Sequence, residues 1–151
     1  MIHQTTKAEP RPFVTLLTAD TTYLPCLLNW LAIALPHGHT ETVLVLALDD
    51  VVHAAVRANH GRSIHVDDVD DVDAVDPASD DAAVSRRSST WLTRMLVAQH
   101  ILENEGTDVL MSDLDALWLR DPLPMVATHL ASGVEVVASR ASSLPPPQAE
   151  K

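Results

Sequence analysis

Asp113 and Asp115 stand two residues apart in the stretch Val109-Leu-Met-Ser-Asp113-Leu-Asp115-Ala-Leu-Trp118-Leu-Arg-Asp121-Pro122. Two carboxylates at this spacing, placed where a strand ends and the backbone turns, can both reach one hard divalent ion. Such an ion, Mg²⁺ or Mn²⁺, prefers oxygen ligands and leaves coordination positions open for phosphate oxygens. An Asp-x-Asp pair arises often by chance in an acidic chain, and Asp68 with Asp70 form a second copy. Context separates the two. The second copy lies in a low-complexity acidic run over residues 67–81, whereas Asp113 follows an apolar strand and precedes Leu117-Trp118-Leu119 and Asp121-Pro122.

Other side chains qualify as candidates by position. Asp20 and Asp49 also follow apolar runs, and in a parallel sheet ligands bind outside the carboxyl ends of the strands. Asp49 can face such a site or cap the helix that follows; its position allows both. Arg94 shares a helical stripe with Trp91, Ala98 and Ile101, and a cation on an apolar stripe needs a partner. A phosphate would serve, and so would a surface carboxylate. The acidic run lacks the Gly and terminal Glu of a calcium-binding helix–loop–helix, so it reads as a solvated insertion. Cys26 is the sole cysteine, which removes internal disulfides and thiolate zinc sites. His37 and His39 fall in a turn, and the histidines show no ligand spacing along one helical face.

A net charge of −11 with no run of Lys or Arg argues against a nucleic-acid partner. At 46% hydrophobic and 21% charged, the chain has the composition of a folded domain. No stretch approaches the length of a membrane span, and no signal peptide opens the chain.

The elements that must position these residues alternate. Residues 13–19 read as a strand and 23–35 as a helix, with Pro25 in its first turn and apolar residues on most sides. Residues 42–48 form a near-continuous apolar run, expected for a strand covered on both faces. A helix over 51–59, a weaker strand over 63–66 and the acidic run follow. Ser88 to Thr90 are read as the start of the best helix, over 91–105, closed by Gly106. A strand over 108–112 delivers Asp113. Asp121 is read as a structural cap for a short helix over 123–130, and residues 135–138 as a last strand. Trp30, Trp91 and Trp118 are all read as core. This order implies an α/β fold, a mostly parallel sheet with flanking helices and right-handed crossovers. Residues 1–12 read as a loose lead-in, 13–140 as the domain and 141–151 as a Pro-rich tail.

With these residues in place, the chain resembles the nucleotide-diphospho-sugar transferase family that includes glycosyltransferase family 77, related to plant rhamnogalacturonan xylosyltransferases. In that family a helix ending in Gly leads to a strand, then Ser-Asp-x-Asp, then Trp-Leu-x-Asp-Pro, and residues 102–124 match that order. Val14-Thr15 to Asp20 with Asn29-Trp30-Leu31 resemble the family's opening strand and helix, and Val45 to Asp49 its second strand. The resemblance spans residues 13–139. It implies a Rossmann-like GT-A fold and a nucleotide-sugar donor, with UDP as the expected nucleotide. It also implies retention of anomeric configuration, a hydroxyl acceptor on a glycan or glycoprotein, and residence in the Golgi lumen. Asp113 and Asp115 match the metal and diphosphate residues, Arg94 the basic helical residue facing the donor, and Thr15 lies in the strand whose end borders the nucleotide. Family members continue past this point to a further metal ligand and the acceptor site, so the expectation is a chain carrying the nucleotide-binding half. Two other readings stand beside transfer: a remnant that binds nucleotide without catalysis, and a haloacid-dehalogenase-like phosphatase with Asp113 as nucleophile. The phosphatase reading lacks a downstream Lys followed by an acidic pair.

Overall fold

A computed structural model of the chain describes residues 12–34, 42–59, 61–69 and 82–137. Residues 35–41, where His37 and His39 lie, most of the acidic run, and the two ends of the chain fall outside the described residues. The described residues divide between a unit spanning Arg11–Asp121 and a second beginning at Pro122.

The first unit is built on a four-stranded parallel sheet in the order β3-β2-β1-β4. Its strands are β1 (Phe13–Ala19), β2 (Val43–Ala47), β3 (Arg62–His65) and β4 (Asp108–Met111). Three helices connect them: α1 (Leu24–Ala34), α2 (Asp50–Ala58) and α3 (Ala82–His100). Every residue of β2 is buried, as its unbroken apolar sequence requires when helices cover both faces. Alternation along the strands divides the core. Leu17, Ala19, Val43, Val45 and Ala47 meet α1 and α2 through Leu27, Trp30, Val52 and Val56. On the other face Val14, Leu16, Leu44 and Leu46 meet Val97, Ala98 and Ile101 of α3.

This division follows from handedness. The chain steps from β1 to β2 to β3 in one direction, with α1 and α2 on one face. It then crosses back past β1 to β4, and a right-handed crossover in the reverse direction puts α3 on the opposite face. The reversal leaves a topological switch point between β1 and β4.

Several sequence expectations are revised. The α1 helix buries Leu27, Trp30 and Ala34 only, while Leu28 is exposed on its outer side. A helix laid on one sheet face meets a single layer, so its further apolar residues stay outside the contact stripe. The third helix does not begin at Ser88 to Thr90; it runs unbroken from Ala82 through them. Residues 82–87 contain no breaker, and Ser or Thr inside a helix lowers propensity without ending it. Its end matches the expectation: a π-helical turn over Ile101–Glu105 leads to Gly106, whose φ of 60° is the left-handed conformation glycine tolerates.

In the second unit, α4 (Leu123–Ala131) begins with Pro122 at its cap position. Residues 134–137 form no strand, and Val136 is 81% exposed. Strand propensity there is not enough: a strand exists only where a neighbour supplies the ladder, which is a tertiary contact.

Candidate functional site

The ends of β1 and β4 border a cavity of about 900 Å³. Thr18, Ala19 and Asp20 line it from β1, Asp113, Leu114 and Asp115 from the turn after β4, and Thr90, Trp91 and Arg94 from α3. Tyr23, Cys26, Leu48 and Val66 complete the lining. The position lies at the carboxyl ends of the adjacent strands β1 and β4, where the strand order reverses and where open parallel sheets bind ligands.

The geometry after β4 is set residue by residue. Parallel pairing ends at Leu16–Met111, and the Ser112 amide still donates to the Leu16 carbonyl at 3.2 Å. The chain then turns, closed by the Ala116 amide on the Asp113 carbonyl at 3.1 Å. Leu114 packs into the core cluster of α1 and α2, and Trp118 joins it partly buried. Leu114 is half-buried there and also borders the cavity, while Asp113 and Asp115 are both exposed and both line it. Trp30 fixes the far side of the turn: its indole N–H donates to the Ala116 carbonyl at 3.1 Å. Trp30 also meets Trp118 edge-on, with ring centroids 4.9 Å apart. Trp30 is fully buried, as read from sequence, and Trp118 packs half-buried against the same core.

Arg94 is 7% exposed and holds the near side of the same turn. Its guanidinium donates to Asp113 Oδ1 at 2.8 Å and to the Ser112 carbonyl at 2.9 Å. Of the two partners left open by the sequence, the one present is a carboxylate at the surface, that of Asp113, joined by the backbone carbonyl beside it. Its Nε is buried with no hydrogen-bond partner among the described residues.

Asp49 and Thr15 lie elsewhere. Asp49 Oδ1 accepts from the Val52 amide at 2.9 Å, capping α2, while Oδ2 accepts from the Thr21 amide and hydroxyl at 2.6 and 2.8 Å. The Val52 amide, with smaller help from Thr21, holds the Asp49 carboxyl below its ordinary range. Both oxygens are thus occupied in joining the β1 and β2 exits, and Asp49 does not line the cavity. Of the two roles its sequence position allowed, the contacts are those of the cap. Thr15 is 1% exposed, three residues short of Thr18, on the α1 and α2 side of β1. It does not reach the cavity either; the strand end that does is Thr18, Ala19 and Asp20.

Trp91 departs from expectation in the other direction. It is 51% exposed and faces the cavity, with the Arg94 guanidinium 5.4 Å from its ring centroid. The physical reason is length. The α3 helix has 19 residues, about 28 Å at 1.5 Å per residue, and it descends antiparallel to shorter strands. Arg94 stands at the level of the strand ends, so the turn above it has no sheet to pack on. Sequence reasoning also passed over Tyr23, Cys26 and Thr18; of these, Thr18 was accessible from its place at a strand end.

Two exposed carboxylates offer oxygen-only donors suited to Mg²⁺ or Mn²⁺. No group of three or more His, Cys, Asp or Glu able to hold a metal occurs among the described residues. Asp113 and Asp115 could hold such an ion, which in phosphate-handling sites commonly fills its other positions with phosphate oxygens and water. No helix among the described residues is long and apolar enough to cross a membrane.

Comparison with known proteins gives one family. No curated protein and no solved structure gave a match. The family described as nucleotide-diphospho-sugar transferase matches residues 38–143, more than two thirds of the chain and including the whole Asp113–Asp115 turn. A parallel α/β sheet, a crevice at its switch point and that match agree: the chain belongs to the nucleotide-diphospho-sugar transferase family.

Proposed function

We propose that the chain binds a nucleotide-diphosphate-sugar, with UDP as the nucleotide, at the cavity between β1 and β4, and transfers its sugar to a hydroxyl acceptor on a glycan. One observation carries the reading: Asp113 and Asp115, on the turn that Arg94 and Trp30 brace, both line the cavity at the carboxyl ends of β1 and β4. Asp113 and Asp115 would hold Mn²⁺ or Mg²⁺ there. That ion, when bound, neutralises charge developing on the diphosphate as the sugar–phosphate bond breaks.

The remaining work falls to the chain. Arg94 anchors the Ser112 carbonyl and Asp113, and Trp30 anchors Ala116, so the turn is braced at both ends before a ligand arrives. A turn and an Asp113 carboxylate fixed in this way need little reorganisation when the diphosphate binds, which is where such sites gain most of their electrostatic effect. Arg94 also supplies positive charge beside the same position. The more specific likeness to glycosyltransferase family 77, with retention of configuration, rests on the Ser-Asp-x-Asp and Trp-Leu-x-Asp-Pro order alone. The family match gives the phosphatase reading no support.

The test is calorimetric titration with UDP, with and without Mn²⁺, of the wild type and of Asp113→Ala/Asp115→Ala. Manganese-dependent binding that the double substitution abolishes supports the reading, and assays of transfer from UDP-sugars then follow. Absence of UDP binding by a folded wild-type chain overturns it. Binding without turnover of any UDP-sugar would identify a nucleotide-binding remnant.

A further inference from the structure

Trp91 is a large apolar side chain that stays half exposed, outside the core clusters formed by the described residues. We propose that it is the platform on which the nucleotide's base stacks, and so a specificity-determining residue of the donor site; this rests on the donor reading above. The chain has only five Phe, Trp and Tyr residues in all, so an indole half open to a cavity is not a by-product of an aromatic-rich composition. It stands on the α3 wall one helical turn above Arg94, whose guanidinium in turn grips Asp113. A chain of short contacts thus links the indole to the carboxylates: 5.4 Å from ring centroid to guanidinium, then 2.8 Å to Asp113 Oδ1. A diphosphate held at Asp113 and Asp115 therefore has a flat π surface within one nucleotide's reach.

Ligand chemistry selects what that surface takes. Of the parts of a nucleotide-sugar, only the base is flat and aromatic; ribose and the transferred sugar meet a ring through C–H edges alone. A guanidinium 5.4 Å from the same indole adds a cation–π contact. Stacking on indole with a neighbouring arginine is the means by which proteins hold unpaired bases without reading their sequence. Trp91 then contributes affinity for the base as such, and little for the diphosphate.

The experiment measures Kd for UDP, UMP and inorganic pyrophosphate, each with Mn²⁺, in the full chain carrying Trp91→Ala or Trp91→Phe. Circular dichroism melts confirm folding, which a half-exposed residue should not control. Expected is a weakening of UDP and UMP binding by roughly 5- to 100-fold in Trp91→Ala, with pyrophosphate unchanged. Trp91→Phe, which keeps a ring face, should recover most of the loss. Quenching of wild-type fluorescence by UDP should shrink in both variants, since Trp30 is buried and Trp118 partly so. Equal weakening of UDP and pyrophosphate, or none for UDP, overturns the proposal while leaving the donor site standing. Unchanged UDP with weakened UDP-sugar assigns the indole to the sugar instead and overturns it as well. If the wild type binds no UDP but the fold is intact, the donor reading itself has failed.

Discussion

Replacing Arg94 by Met should separate the two things this residue does, because they move different measurements in opposite directions. Methionine keeps much of the apolar stem and deletes the guanidinium. On the stability side, the buried Ser112 carbonyl loses its donor at 2.9 Å. A charged hydrogen bond of this kind contributes about 1.5–3 kcal/mol. The contact to Asp113 adds little, because that carboxylate is 61% exposed and water screens it. Relief of the unpartnered Nε offsets part of the loss. The net expectation is about 2 kcal/mol of destabilisation, read as a fall in Tm of roughly 5–10 °C. On the ligand side, a divalent ion one bond beyond Asp113 lies about 5 Å from the guanidinium, a repulsion of about 1.7 kcal/mol at water-like dielectric. Removing it should strengthen Mn²⁺ binding in the absence of nucleotide by roughly 15-fold, while UDP binding weakens as the diphosphate loses a cation. The assays are urea or thermal unfolding, Mn²⁺ titration by electron paramagnetic resonance, and UDP calorimetry. A variant as stable as wild type, with weaker Mn²⁺ binding, would refute the argument that Arg94 braces the turn and competes with the ion.

Two further outcomes follow from particular contacts. The Val52 amide lowers the Asp49 pKa in the folded state, so its contribution is present above the unfolded carboxyl value near 4 and is lost as pH falls through the lower folded value. Asp49→Asn should therefore cost stability at pH 7 and close on wild type below about pH 4, measured by urea unfolding across pH; a gap that persists unchanged at pH 3 would show that charge is not involved. Trp30→Phe removes the indole donor to Ala116 and the edge contact with Trp118, and should destabilise by about 2–3 kcal/mol. Manganese-dependent UDP affinity should fall with it, since one brace of the Asp113–Asp115 turn is gone; unchanged affinity in a folded variant would show the turn holds without it.

How much of this was legible beforehand depends on whether a feature is local. The four strands and the three helices of the first unit were each foreseen to within a few residues at most ends, apart from the start of α3. Their signals are local: β2 is apolar throughout because both faces are covered, and Gly106 ends α3 because a left-handed φ suits glycine. The Asp113–Asp115 pair was legible for the same reason, as a strand exit in a specific run of residues.

What the residues could not announce depends on partners distant in sequence. A strand at 135–137 needed a neighbour, and the chain provides none among the described residues. Trp91 carries the same hydrophobicity as Trp30, yet one is half open to the cavity and the other fully enclosed. The difference lies in where each helix meets the sheet: Trp30 sits against the core of β1 and β2, whereas Trp91 stands on a helix longer than the strands it covers. Thr15 and Thr18 lie on one strand, and only its exit toward the switch point makes Thr18 part of the site. Asp49 and Asp113 both leave strands as acids; the fold satisfies one with amides and leaves the other facing solvent beside an arginine. Sequence determined which residues could form strands, helices and a carboxylate pair, because those preferences act over a few neighbours. The tertiary structure alone decided which of them share a cavity, because that depends on strand order and crossover direction.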